Sequence, residues 1–361
     1  MARQGEAIPT LIQSAEIIHS ANIASVKSAP IHLTTPHLTT THLTQSALNQ
    51  MDLNHVAQQF NQRLSQRAPF YAQHFVATTK PQGLSFDSWS QPAVYQQLLL
   101  NFAKAYPPLT AAKTSATQQT ANAKTLLCHS RSSKALHSLW GQWYFGRLVP
   151  PMLEWIFQVT TSMQMAKSIE EMDLFPRQFF IHPHDSGRVA NVEFFLNRTN
   201  RPIPTPNKSE YKLLQPNQTR GLLLTCNNQS PLQDERLVER RIIQFIQTNL
   251  APSVERLTCL SPAPPKLYWS HLGYLIHWYL GEMALPMQQF NQLTQRLFQT
   301  STFADGTVNP LYNSINLTPA CEPSSGCIRR VCCLRNQLAN SHQCGDCPLV
   351  ARAQARRAAQ G

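Results

Sequence analysis

The chain has 361 residues, 42% of them hydrophobic, and a formal net charge of +12. That length supports one large core or two smaller ones, and the apolar fraction excludes a disordered polymer. The positive charge favours anionic partners: nucleic acid, an acidic electron-transfer protein or an anionic chelate.

The first residues hold no apolar core of signal-peptide length. No run of roughly eighteen apolar residues follows, and the nearest, Trp140 to Phe157, is interrupted by Arg147, Pro150, Pro151 and Glu154. A cytoplasmic protein is therefore expected. There, clustered thiols act as ligands more often than as disulfides.

Residues 1–50 read as a low-complexity segment in which His32, His37 and His42 repeat with a period of five. No cysteine or carboxylate supports these histidines, so a polar tract is the simpler reading. Leu53, Val56, Ala57, Phe60 and Leu64 share one helical face. A second helix is expected from about 90 to 106, stopped by Pro107 and Pro108. Residues 109–124 read as a linker. From Ser132 the pattern predicts an amphipathic helix with Leu136, Leu139, Trp140, Trp143, Tyr144 and Leu148 on a wide apolar face. That helix is expected to end at Pro150–Pro151 and a new one to begin at Met152. Two strands, 177–182 and 191–197, flank the turn composition Pro-His-Asp-Ser-Gly-Arg. Helices are then expected over 235–249, 268–280 and 286–300. The sum is an α+β fold, mainly helical with a small antiparallel sheet, ending in a small cysteine-rich segment.

Six of the nine cysteines lie between 321 and 347. The tightest set is Cys332, Cys333, Cys344 and Cys347. The Cys344-Gly345-Asp346-Cys347 pair has the spacing of a chelate loop, and Gly345 permits the backbone turn it needs. Adjacent cysteines normally diverge, so Cys332 and Cys333 require a local bend. Three readings stand on spacing alone: a [2Fe–2S] cluster, a structural zinc in which Cys327 and Cys332 supply one loop, or disulfides.

The tail resembles the C-terminal signature of FhuF-type ferric siderophore reductases. Its pattern is two adjacent cysteines, ten residues, a cysteine, two residues and a last cysteine, as in Cys332, Cys333, Cys344 and Cys347. Arg329 and Arg330 upstream, Leu334 and Arg335 after the pair, and the Gly345-Asp346 loop agree with it. Asn336 departs from the aromatic residue expected there. The resemblance implies that the four cysteines hold a [2Fe–2S] cluster. Composition and periodicity divide the N-terminal part into a poorly structured segment over 1–50 and a helical region and linker over 51–125; the resemblance implies a FhuF-like siderophore-binding domain over 126–317 and the cluster segment over 318–361.

The implied activity is one-electron reduction of a ferric siderophore, of hydroxamate type. Fe(III) prefers hard oxygen donors, so reduction weakens the chelate and releases Fe(II) during iron acquisition. Trp140, Tyr144, Arg147 and Trp278 are the candidate substrate contacts, with Trp143, Trp269, Tyr279 and His277 as further aromatic or polar neighbours. Helical spacing alone equally marks such residues as core. Arg329, Arg330 and Arg335 are the candidate docking residues for a protein donor such as a ferredoxin or flavodoxin. Peripheral association with the inner membrane fits the same surface. His182 and His184 in the hairpin turn are secondary candidates for iron contact. With only 12 glycines and no phosphate-binding loop, a bound nucleotide is not expected. Two other classes remain: a zinc-stabilised basic protein that binds nucleic acid, although no recognition-helix motif appears, and a siderophore-binding or biosynthetic accessory.

Overall fold

A computed structural model describes residues 53–107, 109, 131–161, 174–196, 231–317, 327–341, 344, 347–358 and 360. The histidine repeat, most of the expected linker and Cys321 lie outside these residues. The helices, in chain order, are α1 (Leu53–Arg67), α2 (Pro69–Ala72), α3 (Phe86–Trp89), α4 (Pro92–Ala105), α5 (Arg131–Thr161), α6 (Pro231–Phe245), α7 (Ala251–Leu260), α8 (Pro265–Glu282), α9 (Met287–Phe298) and α10 (Pro348–Ala358). The strands are β1 (Phe75–Thr78), β2 (Leu84–Ser85), β3 (Phe179–Pro183), β4 (Val189–Phe195), β5 (Ile315–Leu317) and β6 (Cys327–Arg329). The expected α+β fold is present.

Helix α5 is the axis of the core. Leu136, Leu139, Trp140, Tyr144, Phe145, Leu148, Val149, Met152 and Leu153 are all fully buried, so apolar side chains surround the helix instead of forming one stripe. The sequence predicts a break at Pro150–Pro151, but the helix runs straight through. An internal proline costs about 3 kcal/mol. Two of them cost about 6 kcal/mol, and burying Leu148, Val149, Met152 and Leu153 contributes about 1.5–3 kcal/mol each, which offsets that cost. A similar override joins α6 to α7. A π-helical turn at Ile246–Leu250 carries the chain past the position where the first of these helices is expected to stop, and Pro252 sits in the first turn of α7, where a proline is tolerated.

The main sheet has the order β1-β4-β3-β2. The β3–β4 hairpin is the one expected from the turn residues, with Phe179 opposite Phe194 and Ile181 opposite Val192. The N-terminal region adds two strands that periodicity did not reveal. β2 pairs antiparallel with β3, and β1 pairs parallel with β4, which makes the sheet mixed. Asn61 of α1 covers the outer edge of β1. Its amide donates to the Ala77 carbonyl at 2.9 Å and accepts from the Ala77 N–H at 2.8 Å, replacing the missing neighbour strand.

The hairpin turn is locked onto the core at Gly187. This residue has φ +78°, and an added Cβ would lie 2.0 Å from the Leu98 carbonyl oxygen. Trp140 donates its indole N–H to the Gly187 carbonyl at 3.0 Å. Gly187→Ala is therefore expected to lower stability by more than about 2 kcal/mol in denaturant titration, since it combines a left-handed backbone with a backbone clash. A loss under 0.5 kcal/mol, within the range of an ordinary surface change, would contradict this placement.

Two core histidines add a pH dependence. Burial lowers His137, which pairs with the Tyr95 hydroxyl at 2.9 Å, and His277, each to about 4 from 6.5. Between those values the unfolded chain binds the protons and the native chain does not. Stability is therefore full above about pH 6.5 and falls as the pH drops towards 4. Thermal melts should show Tm declining across that window, with a shallower decline in His137→Gln. A melting temperature that is flat from pH 6.5 to 4.5 would contradict neutral burial.

Candidate metal centre

The two halves of the cysteine signature meet because the C-terminal segment folds back onto α8 and the end of α4. β6 pairs antiparallel with β5, and the two pack on α8. The Val331 N–H donates to Ser270 Oγ of α8 at 3.0 Å. Further along, the Ala339 N–H donates to the Pro107 carbonyl at 2.7 Å, the Leu109 N–H donates to the Gln337 carbonyl at 3.1 Å, and Leu338 is buried. Between these anchors the doubled cysteine meets the bend it requires. Leu334 adopts a left-handed conformation with φ 62°, followed by a 3-10 turn at Arg335–Gln337. At the far end the Ala351 N–H donates to the Cys347 carbonyl, so Cys347 stands at the start of α10, where helix N–H groups concentrate positive potential.

The Sγ atoms of Cys333 and Cys344 are 3.5 Å apart. Two thiolates on one tetrahedral metal at about 2.3 Å would be roughly 3.8 Å apart, whereas a disulfide bond is about 2.05 Å long. The pair is thus in contact and unbonded. The contact joins the two halves of the cysteine signature. Cys333 is held well below the usual thiol range. The hydrogen bond from the Cys332 thiol is the main cause, the bond from Cys344 comes next, and the Arg329 charge assists against burial. Cys332 is pushed up correspondingly by the same hydrogen bond. The Leu334 N–H points at Cys332 Sγ at 3.4 Å. Cys333 and Cys347 are buried, while Cys332 and Cys344 are half-buried. A stabilised thiolate, neighbouring thiols and amide donors on sulfur form a donor set suited to iron and inorganic sulfide. Among the described residues no three metal-ligating side chains gather at a single-ion position.

Arg329 belongs to this centre differently from the expectation. It is 2% exposed, with its guanidinium 5.9 Å from the Tyr274 ring centroid, so it cannot meet a docking protein. Its charge instead acts on the Cys333 sulfur from within. Arg330 is exposed and Arg335 half-buried. His271 of α8 completes the inner wall. Burial, then the Arg329 charge, holds it at about 3.

The aromatic candidates separate into core and rim. Trp140 and Tyr144 are fully buried and stack on each other, with Trp89 against both, so neither can line a chelate site. Their helical spacing marked a buried face. His277 and Tyr279 are likewise core residues, and Trp269 and Trp278 are partly buried. His182 pairs with Glu193 at 3.2 Å, and the same carboxylate accepts from the Gln82 and Gly83 N–H groups, which makes it a strap on the sheet. His184 bonds Ser186 within its own turn. Arg147 is different. It lies over the Phe70 and Trp143 rings, with Arg188 over the same indole. Sequence reading missed Arg188, whose only local signal is its place in a turn.

Comparison with known proteins matches this architecture. The family model described as "Ferric iron reductase FhuF-like transporter" matches residues 138–325, more than half of the chain. The model of the FhuF 2Fe-2S C-terminal domain matches residues 329–349, a span that contains all four cysteines. A curated protein of Escherichia coli (strain K12), described as a ferric siderophore reductase, is 29% identical over 221 residues, covering 61% of this chain and 67% of that protein. The C-terminal domain is therefore a [2Fe–2S] domain. Cys333→Ser and Cys344→Ser should each lose most bound iron and visible absorption, whereas Cys327→Ser should keep both. Wild-type iron and sulfide content in either of the first two variants would contradict the proposed set.

Proposed function

The chain belongs to the FhuF-like ferric iron reductase family, and from that premise we propose that it reduces a ferric siderophore, of hydroxamate type, by one electron and releases Fe(II). The observation that carries this reading is the contact between the two halves of the cysteine signature, in which Cys333 touches Cys344 and Cys332 hydrogen-bonds to Cys333. We assign Cys332, Cys333, Cys344 and Cys347 as the ligands. Bound there, a [2Fe–2S] cluster supplies single electrons, the unit that Fe(III) requires.

The residues around the centre set the conditions for that exchange. The buried Arg329 guanidinium offsets the negative charge of the thiolates and favours the more negative, reduced state. The Leu334 N–H and the start of α10 act in the same direction. The half-buried Cys332 and Cys344 mark the side of the centre nearest solvent. α10 carries Arg352, Arg356 and Arg357, all exposed. With Arg330 and Arg335 they offer a cationic approach for an acidic donor such as a ferredoxin or flavodoxin. Arg329 is excluded from this surface. No helix among the described residues is long and apolar enough to cross a membrane. We place the reaction in the cytoplasm, where reduced donors are present.

The direct test mixes anaerobically reduced protein with a ferric trihydroxamate and a chromogenic Fe(II) trap. The expected outcome is reoxidation of the protein with about one Fe(II) trapped per cluster, abolished in Cys344→Ser. A reduced spectrum that persists in the presence of the chelate would overturn the reading.

A further inference from the structure

Helix α5 carries a second cationic feature, away from the C-terminal segment in sequence. Arg147 is only 8% exposed, and its guanidinium lies 5.4 Å from the Trp143 ring centroid and 5.3 Å from that of Phe70. Arg188, from the hairpin, lies 4.8 Å from the same indole. Two positive charges are thus held over one ring, and they repel each other. Arg147 forms no ion pair among the described residues, and its Nε is buried without a hydrogen-bond partner. The exposed Glu282 is close enough to act on the neighbouring Tyr71, yet it does not pair with Arg147. Retaining the buried Arg147 guanidinium without a counter-ion and beside a like charge is unfavourable unless an anion arrives to meet it.

We propose that Arg147 and Arg188, with Trp143 beneath them, bind a carboxylate carried by the ferric chelate. The claim rests on the reductase reading and adds to it a substrate class: chelates that bear a free carboxylate besides their iron-binding groups. A guanidinium matches a carboxylate in bidentate geometry, and a pair of guanidiniums selects for charge as well as shape. Trp143 and the partly exposed Phe70 supply an apolar wall for the organic frame of the chelate. The site also lies near the redox centre along the same helix. The Gln142 backbone reaches His271, whose charge state responds to Cys333. Trp143 is the next residue, and Arg147 is roughly 6 Å beyond Trp143 along the axis.

The test uses two redox-inert gallium(III) complexes of one linear trihydroxamate, whose terminal amine is either acetylated or succinylated. They differ by one carboxylate and share their metal coordination. Affinities come from calorimetry on the full-length, cluster-loaded protein. The wild type should bind the succinylated complex at least about tenfold more tightly. Arg147→Gln and Arg188→Gln should bring the two affinities within about twofold, chiefly by weakening the succinylated complex. Near-wild-type visible spectra would show that the variants are folded, and the half-exposed Arg188 provides the safer substitution. Equal wild-type affinities, or a preference that survives in Arg188→Gln, would overturn the proposal. Reduction of the corresponding iron complexes, measured separately, distinguishes the two readings. Failure to reduce either one removes the reductase assignment but leaves the carboxylate preference intact, and equal binding with normal reduction does the reverse.

Discussion

Holding four sulfurs together at the end of a chain is the constraint on which this structure turns. The segment that carries them is too short to bury a core of its own, so its geometry must come from elsewhere. Ser270 fixes the backbone just before the doubled cysteine, and Pro107 fixes it after the 3-10 turn. The left-handed Leu334 then turns the chain directly after the adjacent cysteines. A non-glycine residue in that conformation is strained, and it persists because the anchors on both sides over-determine it. The α8 helix is the platform for all of this, and α8 is held in turn against α5, the most deeply buried helix in the fold.

Charge is distributed with the same economy. Burying a charge in a low dielectric is costly unless it is matched, and two buried carboxylates here are matched. Glu154 on α5 receives the Tyr279 hydroxyl and Arg67, and Glu193 receives two backbone amides and His182. The Arg329 charge acts on the Cys333 thiolate, which ties its burial to the redox centre. Among these groups Arg147 stands out, because its neighbours are aromatic rings and a second arginine. An arrangement of that kind suits an anion that comes and goes. The cationic α10 serves the opposite purpose, since exposed charges steer partners at a distance without any cost of burial.

Much of this was legible from residues alone. The cysteine spacing located the centre, the turn composition located the hairpin, and apolar periodicity located α1, α4 and α9. The failures have particular causes. Pro150 and Pro151 read as a stop because local rules cannot see the packing that surrounds α5. β1 and β2 were invisible because two- and four-residue strands carry almost no period, and their partners lie about a hundred residues away. Trp140 and Tyr144 looked like a binding face because a helix spaces core and ligand-lining residues identically. Arg329 looked like a surface charge until the Tyr274 ring covered it, and Arg188 meets Trp143 only through the tertiary fold.

Electron paramagnetic resonance of the anaerobically purified protein, reduced with dithionite, tests the central claim most directly. The account predicts a brown protein that bleaches on reduction and gives a half-integer signal of about one spin per chain, as expected for a single reduced [2Fe–2S] cluster. A colourless protein that contains one zinc per chain and shows no such signal would contradict it.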